Sequence, residues 1–312
     1  WDADSINLRH SKGSKPKHGI NQAIAEYPTS SGPADYILFA GLTPIAAVEA
    51  KRNNVDVAGK IPQAQRYSRD FKQPENAKPA YELAGRTVAW PDSESGHYAL
   101  PFVYSCNGKP YIKQLREKSG TWFRDVRSPS NIAKPLPSFH SQEGLLDLLK
   151  RDNSTALQKL QSESFAYLQL RDYQEKAIRK VEHELETNPT QPDGTPTSCL
   201  LAMATGTGKT RTIIGLIYRF LKAERFKRIL FLVDRTSLGT QALEAFQDAP
   251  LEQNQKLSTI YNIAELGDMA AEAETRIQVA TVQAMVQRVF NSDSVPNIDS
   301  YDCIIVDEAH RG

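Results

Sequence analysis

Asp35, Glu49 and Lys51 stand at the ends of two short apolar strings in PADYILFAGLTPIAAVEAK, residues 33–51. Two carboxylates and a lysine on one surface can hold a divalent cation and act on a phosphodiester. The runs YILFA and PIAAVEAK are rich in β-formers, and Gly41 and Pro44 bracket the turn between them, which predicts a hairpin. A hairpin folded about Leu42 sets residue 35 opposite residue 49, with Cβ atoms roughly 5 Å apart on one face. Lys51, two residues further on, shares that face. Like charges placed opposite each other are destabilising unless a cation lies between them. Mg²⁺ takes oxygen ligands at about 2.1 Å and keeps several waters, so Asp35 and Glu49 suffice as metal ligands. Lys51 can then orient a water or offset charge on a phosphate. The alternative is a hairpin whose end charges are simply solvated.

A second chemistry is written in SCLLAMATGTGKT, residues 198–210. The order is strand, Gly-rich turn, helix start. Thr205, Gly206, Thr207 and Gly208 give a backbone that can wrap an anion, with successive N–H groups and a helix N-terminus facing phosphates. Lys209 would reach the β- and γ-phosphates of ATP, and the Thr210 hydroxyl would ligate Mg²⁺. Met203 stands where the usual phosphate-loop pattern has its first glycine. The partner is YDCIIVDEAH, residues 301–310. Asp307 and Glu308 follow four apolar residues at a strand's C-terminal end, where open α/β sheets bind ligands. Asp307 would hold Mg²⁺ through water, and Glu308 would activate the water that attacks the γ-phosphate.

The elements that must position these groups fall into two rhythms. With 312 residues the chain has room for two domains. Residues 1–150 read as α+β or α/β with a mixed sheet. A helix is expected over 18–27, the hairpin after it, a helix over 59–71, β-rich pieces at GRTVAW, LPFVYSCNGKPYIKQL and TWFRDV with Asn107-Gly108 as a hairpin turn inside the second, and an amphipathic helix over 141–151. Residues 151–168 are polar and read as a linker. From 169 onward helix and strand alternate. LRDYQEKAIRKVEHEL is a helix and 187–197 a loop. Strands SCLLAMA, RILFLVD, IQVATV and YDCIIVDE then alternate with helices from Lys209, from Ser237 and up to Phe290. Near-continuous apolar strands in that alternation predict a doubly wound parallel sheet.

Composition narrows the setting. No apolar run approaches the roughly 20 residues a membrane span needs, and no secretory signal opens the chain. Cys106, Cys199 and Cys303 are odd in number and fall in predicted strands, which suits buried thiols in a reducing cytoplasm. The chain opens on Trp1, so an upstream piece is expected. Net charge is +1. Residues 1–150 hold 20 Lys and Arg against 15 Asp and Glu, a net of +5, and the remainder hold 18 against 22, a net of −4. The basic half is the one with the candidate phosphodiester chemistry. Arg9, Lys12, Lys15 and Lys17 could touch phosphates, or could form a solvated loop.

On these residues the second half resembles superfamily 2 helicase-type motors. MATGTGKT is similar to their first motif and DEAH to their second. LRDYQ resembles the upstream glutamine motif, which would place Gln174 on the adenine base. RILFLVDRTSLGTQ and VATVQAM are similar to their nucleic-acid-backbone segments. The resemblance covers the first, RecA-like motor lobe (169–312), and implies a second lobe carrying an arginine finger. In the first half, P-x-D…E-x-K looks like the signature of PD-(D/E)xK nucleases. Gln63 and Tyr67, four apart on one helix face, resemble the Q-x-x-x-Y element of one branch. Glu26 is the nearest candidate for an additional acidic residue from a preceding helix. The nuclease-then-motor order is similar to the restriction (R) subunit of type I restriction–modification enzymes. Type III subunits share the motor but carry the nuclease after it. The type I resemblance implies an ATP- and Mg²⁺-dependent endonuclease acting on double-stranded DNA, assembled with modification and specificity subunits. The alternatives are a DNA repair or remodelling helicase whose first domain only binds DNA, and a non-enzymatic ATP switch that scaffolds partners. Glu308 speaks against the switch, which needs no water-activating carboxylate.

Overall fold

The two apolar strings become adjacent central strands of a six-stranded sheet. The structure, a computed structural model, describes every residue except 5, 54, 93–95, 190, 192–194, 253–254, 266–274, 292–294 and 310–312. The chain divides into two units, with the boundary after Arg151.

In the first unit, β1 (Asn21–Tyr27), β2 (Ala34–Ala40) and β3 (Thr43–Ala50) form an antiparallel meander. Helix α1 (Ile61–Arg69) follows, then the short α2 (Ala80–Leu83) and the small ribbon of β4 (Trp90–Pro91) and β5 (His97–Tyr98). Strand β6 (Phe102–Cys106) returns beside β3 in parallel, and β7 (Thr121–Asp125) and β8 (Lys134–Leu136) complete the sheet antiparallel. The strand order is β1-β2-β3-β6-β7-β8. Helix α3 (Gln142–Lys150) closes the unit, its Ser141 N-cap accepting from the Gly144 N–H at 3.0 Å. Because successive strand residues face opposite ways, two cores form. Ile37, Phe39 and Ala47 pack with Tyr67, Phe71 and Leu100, whereas Leu38, Ala46 and Val48 pack with Phe102, Tyr104, Leu145 and Leu149.

Three expectations fail in this unit. GRTVAW (85–90) contributes only Trp90 to a strand. Residues 21–27 are a strand, not the tail of a helix. Each of Asn21–Ala25 pairs with β2, and Gln22–Ala25 are all buried, so ladder bonds and two-sided cover override the helical look of NQAIAEY. Asn107-Gly108 does not close a hairpin onto a strand at 111–115. Asn107 is instead buried, its Nδ2 donating to Val55 O and Lys118 O, and the chain runs through a 3₁₀ segment at Lys113–Lys118 before β7.

The second unit begins with α4 (Asn153–Ser162), capped by Asp152, and α5 (Asp172–Thr187). After these come α6 (Lys209–Lys222), β9 (Ile229–Val233), α7 (Thr236–Asp248), α8 (Leu257–Ile260), β10 (Asn262–Glu265), β11 (Thr275–Thr281), α9 (Val282–Phe290) and β12 (Cys303–Val306). The strands pair in parallel in the order β10-β11-β9-β12. Residues 152–168 are not a bare linker. Leu160, Phe165 and Leu168 are buried in this unit's core. Arg219 of α6, fully buried, ion-pairs with Glu182 at 2.6 Å, donates to Leu160 O at 2.6 Å and Glu163 O at 2.9 Å, and lies 3.8 Å over the Phe165 ring. SCLLAMA forms no strand. An apolar run becomes one only where a neighbouring edge takes up its N–H and C=O groups, and none of the four described strands does so. Cys199 is accordingly exposed, unlike the half-buried Cys106 and Cys303.

Candidate functional site

Asp35 lies at the start of β2 and Glu49 near the end of β3. Tyr36 pairs with Val48 and Ile37 with Ala47, a register that sets 35 against 49. The turn itself is tighter than the sequence suggests, since Ala40 pairs with Thr43, but a bulge in β3 restores the offset. The side chains then converge. Glu49 is fully buried, and the Lys51 ammonium is ion-paired to its Oε1. Asp35 accepts the Ala50 N–H through Oδ2 at 2.7 Å. Burial pushes the Asp35 carboxyl above its usual range. The Ala50 N–H pulls the other way, the Glu49 charge adds to the rise, and Lys51 offsets part of it.

Helix α1 packs over β3 and β6. Pro62 in its first turn suits a helix start. The i,i+4 spacing brings Gln63 Nε2 to donate to the Tyr67 phenol oxygen at 2.9 Å. Burial, and the Glu49 carboxylate next, push the Tyr67 phenol up to about 12. Tyr67 therefore stays protonated beside the carboxylates and can only donate to them. Asp35, Glu49, Lys51, Gln63 and Tyr67 thus form one cluster. Glu26 does not join it. It sits exposed on β1 with φ 51° and pairs with Arg9 at 2.7 Å.

The cluster fits a divalent cation. Neither Glu49 oxygen accepts a well-formed hydrogen bond although both are fully buried, a cost that the Lys51 ammonium at Oε1 offsets in part. Among the described residues no group of three or more His, Cys, Asp and Glu forms a metal cage. The two carboxylates plus waters match the sparse protein ligation Mg²⁺ takes.

In the second unit, Gly206 and Gly208 both adopt φ +79°, and Gly208 is the N-cap of α6. No side chain caps that terminus, so its first N–H groups are available to an anion. Lys209 Nζ lies 3.2 Å from Glu308 Oε1. Asp307 follows β12, donates its N–H to Leu232 O at 2.8 Å and accepts the Glu308 N–H through Oδ1 at 3.0 Å. Glu308 holds φ 51°, a strained conformation for a non-glycine residue. Loop and acidic pair therefore meet at the C-terminal edge of the parallel strands. Thr205 and Thr210 are exposed at the same loop, and Thr207 Oγ1 donates to Ala204 O at 2.6 Å. His310 lies outside the described residues.

Gln174 reaches the loop, but in an unexpected way. Its Oε1 accepts the Arg171 N–H at 2.9 Å, and its Nε2 donates to Thr207 O and Gly208 O at 3.1 Å each. The Tyr173 hydroxyl donates to Thr207 O at 2.7 Å. The amide is thus engaged by the loop's own backbone, and contact with a base requires exchanging those bonds. Sequence reading did not single out this clamp; Tyr173-Gln174 ahead of a Gly-rich turn was its only trace.

Comparison with known proteins agrees with these two units. Residues 2–149 match the family described as type I restriction enzyme EcoKI endonuclease subunit second domain. Residues 167–312 match the family described as type III restriction enzyme, res subunit, a helicase-like domain with a RecA-like lobe. In that order the matches place the chain among the relatives of type I restriction endonuclease subunits. It is 44% identical over 335 aligned positions to the type I restriction enzyme EcoKI endonuclease subunit of Escherichia coli K12, a match covering the whole chain and 28% of that protein. It is also 33% identical over 115 positions to the EcoAI endonuclease subunit of E. coli, covering 36% of the chain and 13% of that protein. The SsaAORF53P endonuclease subunit of Staphylococcus saprophyticus is 24% identical over 284 positions, covering 88% of the chain and 27% of that protein. The chain therefore spans less than a third of each relative's length. No described helix is long and apolar enough to cross a membrane.

Proposed function

We propose that the chain is the part of a type I restriction endonuclease subunit that cleaves double-stranded DNA at a Mg²⁺-binding PD-(D/E)xK-type site and supplies the ATP-binding first lobe of the motor that moves DNA. One observation carries the nuclease reading: Asp35, Lys51, Gln63 and Tyr67 gather around a fully buried Glu49 whose Oε1 is ion-paired to Lys51 and whose two oxygens make no well-formed hydrogen bond. Asp35 and Glu49 would hold the metal. When bound, it supplies charge neutralisation at the scissile phosphate and a water of lowered pKa. Lys51 offsets developing negative charge, and the Tyr67–Gln63 pair fixes the wall of the site. Burial raises the Asp35 carboxyl, and a cation bound between Asp35 and Glu49 would offset that rise.

In the second unit the 205–210 backbone and Lys209 would cradle ATP phosphates, with Asp307 and Thr210 on Mg²⁺ and Glu308 on the attacking water. Phosphate binding would release Lys209 from Glu308. Modification and specificity subunits would supply sequence recognition, and the assembly would work in the cytoplasm. A unit that only binds DNA would need neither the paired carboxylates nor Lys51, and a type III arrangement would not place a type I match ahead of the motor.

The test is substitution in the assembled enzyme. Asp35→Ala should abolish cleavage and spare ATP hydrolysis, and Lys209→Ala should abolish both. Cleavage at the parental rate by Asp35→Ala would sink the nuclease assignment.

A further inference from the structure

Strand β6 runs parallel to β3, and its Ser105 pairs in register with Glu49. Register partners on neighbouring strands present their side chains to the same face. Glu49 is therefore flanked on one side by Asp35 of β2 and on the other by Ser105 of β6. Both Glu49 and Ser105 are fully buried. Among the described residues of the first unit, the two Glu49 oxygens and the Ser105 hydroxyl are the only fully buried side-chain polar atoms without a hydrogen bond. The contrast with the rest of the helix–sheet interface is plain. Ser68 Oγ donates to Leu100 O at 2.7 Å and accepts the Leu100 N–H at 3.1 Å, and Gln65 Nε2 donates to the Tyr98 hydroxyl at 2.8 Å.

A buried hydroxyl without a partner is a cost that alanine would avoid. Here the hydroxyl lies on the strand beside a fully buried carboxylate that is ion-paired to Lys51 but makes no well-formed hydrogen bond. A glutamate that gives one oxygen to a divalent cation still needs a donor for the other, and such outer partners fix ligand orientation and affinity. Lys51 supplies charge from the β3 side. Serine supplies a single O–H that rotates to suit its acceptor, from the strand opposite Asp35. Cys106, the next residue on β6, faces the other way. We propose that Ser105 is a positioning residue of the cation site, its hydroxyl serving as the donor that fixes the Glu49 carboxylate when the metal is bound. The inference rests on the nuclease reading of that cluster, and adds to it a residue that carries no signature in the sequence.

The experiment measures Mn²⁺ binding by electron paramagnetic resonance in the intact subunit without nucleotide. The parent is compared with Ser105→Ala, Ser105→Thr and Asp35→Ala, and each variant's fold is checked by circular dichroism and thermal unfolding. Ser105→Ala should weaken Mn²⁺ affinity about tenfold or more while melting no lower than the parent. Ser105→Thr, which keeps the hydroxyl, should recover most of the affinity. The Mg²⁺ concentration for half-maximal cleavage should rise in parallel, with ATP hydrolysis unchanged. If Asp35→Ala loses Mn²⁺ and Ser105→Ala binds within twofold of the parent, Ser105 is not a positioning residue, though the cation site stands. If Asp35→Ala binds like the parent, the nuclease reading falls and this inference with it. Should Ser105→Ala fail to fold, Ser105→Thr and Ser105→Gly decide: affinity kept by threonine and lost by glycine supports the proposal, and equal affinities overturn it.

Discussion

Gly206 and Gly208 share a backbone conformation and differ in surroundings, so alanine at each separates conformational strain from a specific contact. Both sit at φ +79°. A Cβ at 206 meets nothing within 4 Å, whereas one at 208 comes 2.6 Å from Gln174 Nε2. The left-handed conformation costs an alanine about 1–2 kcal/mol at either position. At 208 the Gln174 amide must also move. It is buried, and donates to Thr207 O and Gly208 O. Giving up those two bonds costs about 0.5–1.5 kcal/mol each. Gly208→Ala should therefore destabilise the second unit by about 2–5 kcal/mol, against about 1–2 for Gly206→Ala. In thermal unfolding the gap corresponds to about 2–4 °C for each kcal/mol in a domain of this size. In a Gln174→Ala background the gap should close, because the obstructing amide is gone. Equal melting temperatures for the two single variants would refute the clamp. So would a gap that persists without Gln174.

Asp152 caps α4, accepting from the backbone and side chains of Ser154 and Thr155, and these bonds hold its carboxyl down to about 2. A depressed folded pKa contributes stability that is present above the unfolded value, near 3.8, and is lost as pH falls toward 2. Asp152→Ala should cost about 1 kcal/mol at pH 7 and progressively less as pH falls below about 4 and through 2, as read by urea unfolding. Arg219→Leu should cost about 3–5 kcal/mol, because it strands Glu182 and the Leu160 and Glu163 carbonyls. Adding Glu182→Leu should recover part of that loss in a double-mutant cycle.

The register that joins Asp35 to Glu49 was legible because strand periodicity is strict and a hairpin fixes who faces whom. A hairpin folded about Leu42 is one residue wider than the actual turn, and the bulge in β3 cancels the difference. Gln63 and Tyr67 were legible through helical spacing. The strand at 21–27 was not, because alanine-rich NQAIAEY owes its conformation to β2, a partner that local propensity cannot see. The 152–168 segment looked like a linker because its buried residues are sparse, and only Arg219, some 50 residues away in sequence, reveals what holds it. Gln174 was recognised as belonging near the loop, but not as its clamp. Ser105 was invisible for a simpler reason: its place depends on a parallel crossover from β3 to β6, and one serine in FVYSC marks nothing by itself.

The central claim is that Asp35 and Glu49 share one divalent cation. The most direct measurement is anomalous diffraction from crystals of the subunit equilibrated with saturating Mn²⁺. One peak is predicted between these carboxylates, with metal–oxygen distances of roughly 2 Å, close to those of Mg²⁺, and it should vanish in Asp35→Ala. Fully occupied Mn²⁺ elsewhere in the subunit with no peak between Asp35 and Glu49 would contradict the account.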